Sequence, residues 1–237
     1  MVTENDNPGE DMRFFSPPHA LWRERFEKFI LAQDFPCVGA KSALSRGTLS
    51  IEVCHSIKSS WDDLVIYERL LDWSAQYRDN PGLFRSLAFI FADDDRLAED
   101  AFEQALWQRV QSLADKDAWL GLPYDERVSS DPLDPHFSLS FGGEAFFVVG
   151  LHPGASRPAR RFARPVMVFN LHDQFEQLRA EGRYEKIRET ILERDVKIAG
   201  SVNPMLARHG EASEAAQYSG RQVGPDWQCP FHDPRSA

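Results

Sequence analysis

Three short apolar runs constrain this chain more than any other feature: Arg85 to Phe91 (RSLAFIF), Ala145 to Gly150 (AFFVVG) and Pro165 to Phe169 (PVMVF). Each has the length of a strand, and none approaches the about 20 residues that a membrane span requires. A further run, Phe137 to Phe141, is separated from the second by Gly142-Gly143, which predicts a hairpin or a pair of neighbouring strands. Elsewhere the apolar residues recur every three to four positions. Leu21, Trp22, Phe26, Phe29 and Ile30 predict a helix beginning at Pro18, and Pro36 forbids its continuation, so Phe35-Pro36-Cys37 reads as a turn. Ser60 and Asp63 have the offset of a capping box before a helix whose apolar face is Trp61, Leu64, Val65, Leu71 and Ala75. Asp93-Asp94-Asp95 precede a helix carrying Phe102, Leu106, Val110 and Leu113, and read as its N-terminal cap opposing the helix dipole. Asn170 is placed to cap a helix with Phe175 and Leu178, and Gly182 separates that helix from another bearing Tyr184, Ile187 and Ile191.

Strands with helices at both ends, not in strict alternation, predict an α+β (mixed α/β) fold with a small central sheet flanked by helices. The expected organisation is a leader over residues 1–12 and a single domain over 13–237, with an irregular tail from about residue 213. No G-x-G-x-x-G follows a strand and no G-x-x-x-x-G-K-[ST] occurs, which disfavours a doubly wound nucleotide fold.

The 237 residues suffice to bury a core, and 17 Phe with 6 Trp supply bulky material for it. Lys and Arg number 27 against 37 Asp and Glu, a net charge of −10, which argues against general nucleic-acid binding or adhesion to anionic membranes. Three cysteines, Cys37, Cys54 and Cys229, are an odd number in a chain too large to depend on disulfides. With a polar, acidic N-terminus unlike a signal peptide, they point to a reducing cytoplasm.

The stretch Phe146 to Phe169 concentrates positive charge. An apolar strand ends at Gly150, His152-Pro153 opens a loop bearing Arg157, Arg160, Arg161 and Arg164, and a strand resumes at Val166. Guanidinium groups bind carboxylates and phosphates in bidentate fashion, so the patch suits an anionic cofactor or substrate; pairing with surface Asp and Glu is the plain alternative. His172 and Glu176 lie one helical turn apart, competent for a shared polar site. Cys37 reads either as a buried thiol or as a ligand. Cys54 and His55, adjacent on a strand, point to opposite faces, and Cys229 with His232 supplies at most two of the four ligands zinc would want. No G-x-S-x-G elbow and no H-E-x-x-H occurs, which weighs against hydrolase and zinc-protease chemistry.

Phe35-Pro36-Cys37, the block from Gly142 to Phe162 ending HPGASRPARRF, VFNLHDQFEQLR (Val168 to Arg179), GSVNPML (Gly200 to Leu206), SEAAQYSGR (Ser213 to Arg221) and Trp227-Gln228-Cys229-Pro230-Phe231 together resemble the YqcI/YcgG family. Members of that family include small haem-dependent N-hydroxylases, similar to the guanitoxin-pathway enzyme, which oxidise a guanidine or amine nitrogen of arginine-like amino acids. The resemblance implies haem b, an amino-acid substrate, and O2 with an external electron donor, or peroxide. His152 is then the expected axial ligand with Cys37 its rival, and Arg157, Arg160 and Arg161 the cations for the propionates. His172 and Glu176 become the expected distal or substrate-orienting pair, and Glu144, Glu176 or Asp195 the carboxylate for a cationic substrate. A haem-binding or haem-sensing protein without turnover, and a cofactor-free domain holding an anionic metabolite, are the competing expectations.

Overall fold

The computed structural model describes residues 19–205 and 210–236; the expected leader and the start at Pro18 lie outside them. The elements run α1 (His19–Leu31), α2 (Val38–Ser45), β1 (Leu49–Cys54), α3 (Asp63–Asp79), β2 (Ser86–Phe91), α4 (Glu99–Trp119), β3 (Leu139–Phe141), β4 (Glu144–Leu151), β5 (Val166–Leu171), α5 (His172–Ala180), α6 (Tyr184–Ala199) and the short α7 (Ala215–Tyr218). The strands form one sheet in the order β1-β2-β5-β4-β3, parallel between β1 and β2 and antiparallel elsewhere. This is a single-domain α+β fold. Among the described residues no helix is long and apolar enough to cross a membrane.

Side chains alternate across the sheet, and the alternation sorts them into two layers. Leu87, Phe89, Phe91, Phe146, Val148, Met167 and Phe169 pack with Leu70 and Trp73 of α3 and with Phe102, Leu106 and Val110 of α4. Ile51, Val53, Ala88, Ile90, Leu151 and Val166 join Trp22, Phe26 and Ile30 of α1 on the other face. Gly150 permits the close approach of α4, because a Cβ there would meet Phe102 Cε1 at 2.7 Å and Leu106 Cδ1 at 2.8 Å.

The hairpin is present: Gly142 and Gly143, with φ of 61° and 78°, turn β3 into β4 in a conformation that favours glycine. β3 pairs only with Glu144 to Phe146, which leaves the rest of that edge of β4 open. The tail covers it. Tyr218 is fully buried against Trp107, Phe137 and Phe147, and its hydroxyl donates to the Phe146 carbonyl at 3.5 Å.

Five local expectations are corrected. Residues 35–37 do not simply turn, because Cys37 starts α2 as its N-cap. α3 buries Ile66, Tyr67, Leu70, Trp73, Ser74 and Tyr77, whereas Trp61 is 79% exposed and Leu64 and Val65 are also exposed. Both stripes have helical spacing, and the aromatic one takes the core. No capping box forms there: Asp62 flanks the helix and spends its carboxylate on the His55 amide (2.7 Å) and ring (2.9 Å). The aspartates 93–95 do not cap α4, which begins at Glu99; Asp95 is buried and accepts from Ser56 Oγ and Lys58 Nζ, both at 2.6 Å. Asn170 remains in β5, where it bonds Ser86 Oγ at 2.7 Å, and Leu171 occupies the flanking position of α5.

Candidate functional site

A cavity of about 340 Å³ opens between the sheet face and α1, α2, α5 and α6. Its floor is Leu49, Phe147, Val149, Leu151 and Val168; α5 contributes Phe175 and Leu178, and α6 contributes Tyr184, Ile187, Ile191 and Leu192. Cys37, Arg157, Arg160, Asp195, Glu214 and Gln217 also line it. The size and apolar lining suit a small-molecule ligand.

Cys37 Sγ accepts a hydrogen bond from the Ala40 amide at 3.4 Å at the start of α2. Burial pushes its thiol up, while the Ala40 and Gly39 amides and the Arg160 charge oppose that. Those three influences stabilise a thiolate wherever a further partner compensates for burial.

The four loop arginines separate into different environments. Arg157 forms an ion pair with Asp195 and donates to Ser201 Oγ at 3.2 Å and its carbonyl at 2.9 Å, tying the loop to α6. Arg160 donates to the carbonyls of Gly150 (3.1 Å), Tyr218 (3.0 Å) and Gln217 (2.9 Å). Arg161 is exposed outside the cavity and holds the Ala155 and Ser156 carbonyls, both at 3.0 Å. Arg164 binds the Ala92 carbonyl and Asp94 and lies over Trp22 at 4.5 Å. Adjacency in sequence therefore does not make them one patch.

His152 does not reach the cavity. Leu151 faces it, so the next residue emerges on the opposite side of the sheet, where the imidazole stacks on Phe102 with centroids 4.2 Å apart. It is 1% exposed, and Nδ1 has no hydrogen-bond partner among the described residues. Burial lowers its pKa, opposed by Glu99 and by a backbone bond to Leu97. A histidine kept neutral in the fold but protonated in the open chain gives the unfolded state the extra proton, so stability falls with pH below the ordinary histidine range. Urea midpoints measured from about pH 7 to about pH 5 should decline in the wild type, and less steeply in His152→Gln.

His172 and Glu176 do not reach it either. On α5 the positions 174, 175, 178 and 179 face the cavity, and residues 172, 173 and 176 lie on a different side of the helix. There His172 Nε2 stands 3.3 Å from Glu176 in a separate polar cleft of about 330 Å³ shared with Arg127, His136 and Asp173. Of the three carboxylates considered for a cationic substrate, only Asp195 lines the main cavity; Glu144 is engaged by Arg127 at 2.8 Å.

Among the described residues no group of three His, Cys, Asp or Glu side chains is arranged to hold a metal ion. A porphyrin requires fewer protein ligands, and a thiol and a guanidinium, Cys37 and Arg160, line the same cavity.

The model of the YqcI/YcgG family matches residues 26–232. The chain belongs to the YqcI/YcgG family. No curated protein and no solved structure matches it. The family match spans Cys37, all the loop arginines and Glu214 with Gln217, so every polar lining group of the cavity falls within the family region.

Three features of this site escaped the sequence reading. Glu214 is the first; Gln217, by contrast, opens the stretch Gln217 to Arg221, whose hydrogen-bonding groups do mark it in the sequence as a loop of the kind that lines pockets. Phe84 lines the cavity with φ of 61°, its carbonyl fixed by Thr48 Oγ1 at 2.6 Å. A left-handed bulky residue costs about 1–3 kcal/mol and persists only where its surroundings impose it. The ring lies in a cluster with Ala43 and Leu178, which supplies that constraint. The third is α2, whose N-terminus presents the thiol.

Proposed function

We propose that this family member is a haem-dependent N-hydroxylase acting on a guanidine or amine nitrogen of an arginine-like amino acid, similar to the guanitoxin-pathway members. The observation that carries the reading is Cys37 Sγ and Arg160 lining one apolar cavity beneath α6. Cys37, rather than the His152 that the family resemblance put first, would be the residue that holds the haem. Bound haem would supply the activation of O2 or peroxide; the chain supplies the ligand, the enclosure and the electrostatics.

Burial pushes the Cys37 thiol up; the Ala40 and Gly39 amides and Arg160 oppose that and would help a bound iron hold the thiolate. Phe147, Phe175 and the isoleucines of α6 exclude water. Arg160 would hold a propionate, while Arg157 is already neutralised by Asp195. Asp195 is the carboxylate that meets a cationic substrate nitrogen, exchanging Arg157 for it.

Expression with haem supply should yield a coloured protein with a Soret band and stoichiometric pyridine-haemochrome. Incubation with arginine and either O2 plus reductant or peroxide should then yield the N-hydroxylated product by mass spectrometry. Colourless protein that takes up no haem would end this reading; pigmented protein without turnover would leave the haem-binding alternative.

A further inference from the structure

We propose that the cavity is a receptor for an amphipathic monocarboxylate, its anion seated on Arg160 and its apolar body against Phe147, Val149, Val168 and Ile187. A free aliphatic acid and a porphyrin propionate offer the same chemistry, so the inference needs neither iron nor Cys37 and stands apart from the haem reading.

The argument begins with how Arg160 is held. Its three hydrogen bonds go to main-chain carbonyls, two from Nη1 and one from Nη2. A guanidinium has five N–H donors, so the Nε hydrogen and one on Nη2 are left. That is the edge with which Arg127 grips Asp125, at 2.8 and 2.6 Å, the arrangement that matches a carboxylate in bidentate fashion. The carbonyls fix the group without neutralising it, and among the described residues no carboxylate pairs with it.

An uncompensated charge in a poorly hydrated site is costly. Burial pushes the Arg160 guanidinium down to about 10 against the opposing influence of Asp195 and Cys37. Arg157, three residues earlier, is paired with Asp195, and Arg161, next in sequence, lies exposed outside the cavity. Arg179 and Arg188 of α5 and α6 also line the cavity, Arg179 paired with Glu176; the geometry leaves Arg160, oriented by three bonds to carbonyls, with its Nε edge unengaged on the wall of a largely apolar chamber.

The same wall sets the charge of the ligand. Asp195 and Glu214 line the cavity with Arg160. A singly charged carboxylate gripped by the fork tolerates these neighbours, whereas a phosphate dianion meets stronger repulsion at the same place. The lining of Phe, Val, Leu and Ile side chains selects a ligand whose remainder is hydrocarbon or aromatic.

The test uses the full chain without haem. Octanoate, octanol and octyl phosphate are titrated by calorimetry and thermal shift near neutral pH. Octanoate is expected to bind at least about tenfold more tightly than octanol, the worth of a charge-assisted hydrogen-bond pair, and more tightly than the phosphate. Arg160→Gln should bring the acid down to the level of the alcohol, Arg160→Lys should keep part of the preference, and Arg161→Gln should leave it unchanged. Equal binding of octanoate and octanol, or an octanoate affinity indifferent to Arg160→Gln, overturns the proposal. If the Arg160 variants fail to fold, the acid-to-alcohol ratio of the wild type alone decides. Haemin against its dimethyl ester separates the sources: preference for haemin places a propionate on Arg160. Octanoate binding with no haem uptake supports this inference while removing the haem reading.

Discussion

Tyr218→Ala should destabilise the chain by about 3–5 kcal/mol, the cost of deleting a fully buried aromatic ring whose space cannot refill. The ring is the anchor by which the tail covers the open edge of β4. It stacks on Trp107 at 5.7 Å and stands edge-on to Phe147 at 5.2 Å. Its loss also frees the carbonyls of residues 217 and 218 that orient Arg160. The variant should therefore lose octanoate preference even under conditions where it remains folded. Tyr218→Phe keeps the packing and sacrifices the hydroxyl's hydrogen bonding to Phe146, Ser138 and the Leu139 backbone, so its cost should stay at about 1–2 kcal/mol, below that of the alanine variant. Urea unfolding of the three proteins checks this; a Tyr218→Ala penalty no larger than that of the phenylalanine variant would show the tail to be a loose appendage.

Cys37→Ala should abolish the Soret band and reduce bound haem to background, because the cavity then retains no side chain suited to hold iron on that wall. The same variant should keep most of its stability. The thiol caps only the eight-residue α2 through a 3.4 Å contact, and a lost N-cap costs about 1 kcal/mol. Pyridine-haemochrome measurements on Cys37→Ala and His152→Gln should give opposite outcomes, with haem retained in the histidine variant. Haem retained in the alanine variant and lost in the glutamine one would return the ligand to the far side of the sheet.

Much of the architecture was legible because strands and helices write their periods locally. The runs that become β2, β4 and β5 announced themselves, as did the Gly142-Gly143 hairpin and the break at Gly182. The site was less legible, and each miss has a geometric cause. His152 was placed by its nearness to Phe147 and Val149, yet a strand's period of two puts neighbouring residues on opposite faces. His172 and Glu176 do meet, as an i,i+4 spacing requires, but the helix turns that pair away from the cavity that Phe175 and Leu178 line. The loop arginines are contiguous in the text and divided in space, because each was claimed by a different acceptor: Asp195, three carbonyls, an exposed loop, Asp94.

The sequence by itself determined the strands β2, β4 and β5, the long helices and the α+β class, since these follow from local periodicity and turn chemistry. Only the tertiary structure decided which groups share a chamber. That choice depends on the phase of each strand and helix relative to its neighbours and on a tail returning from the far end of the chain, which local periodicity does not encode.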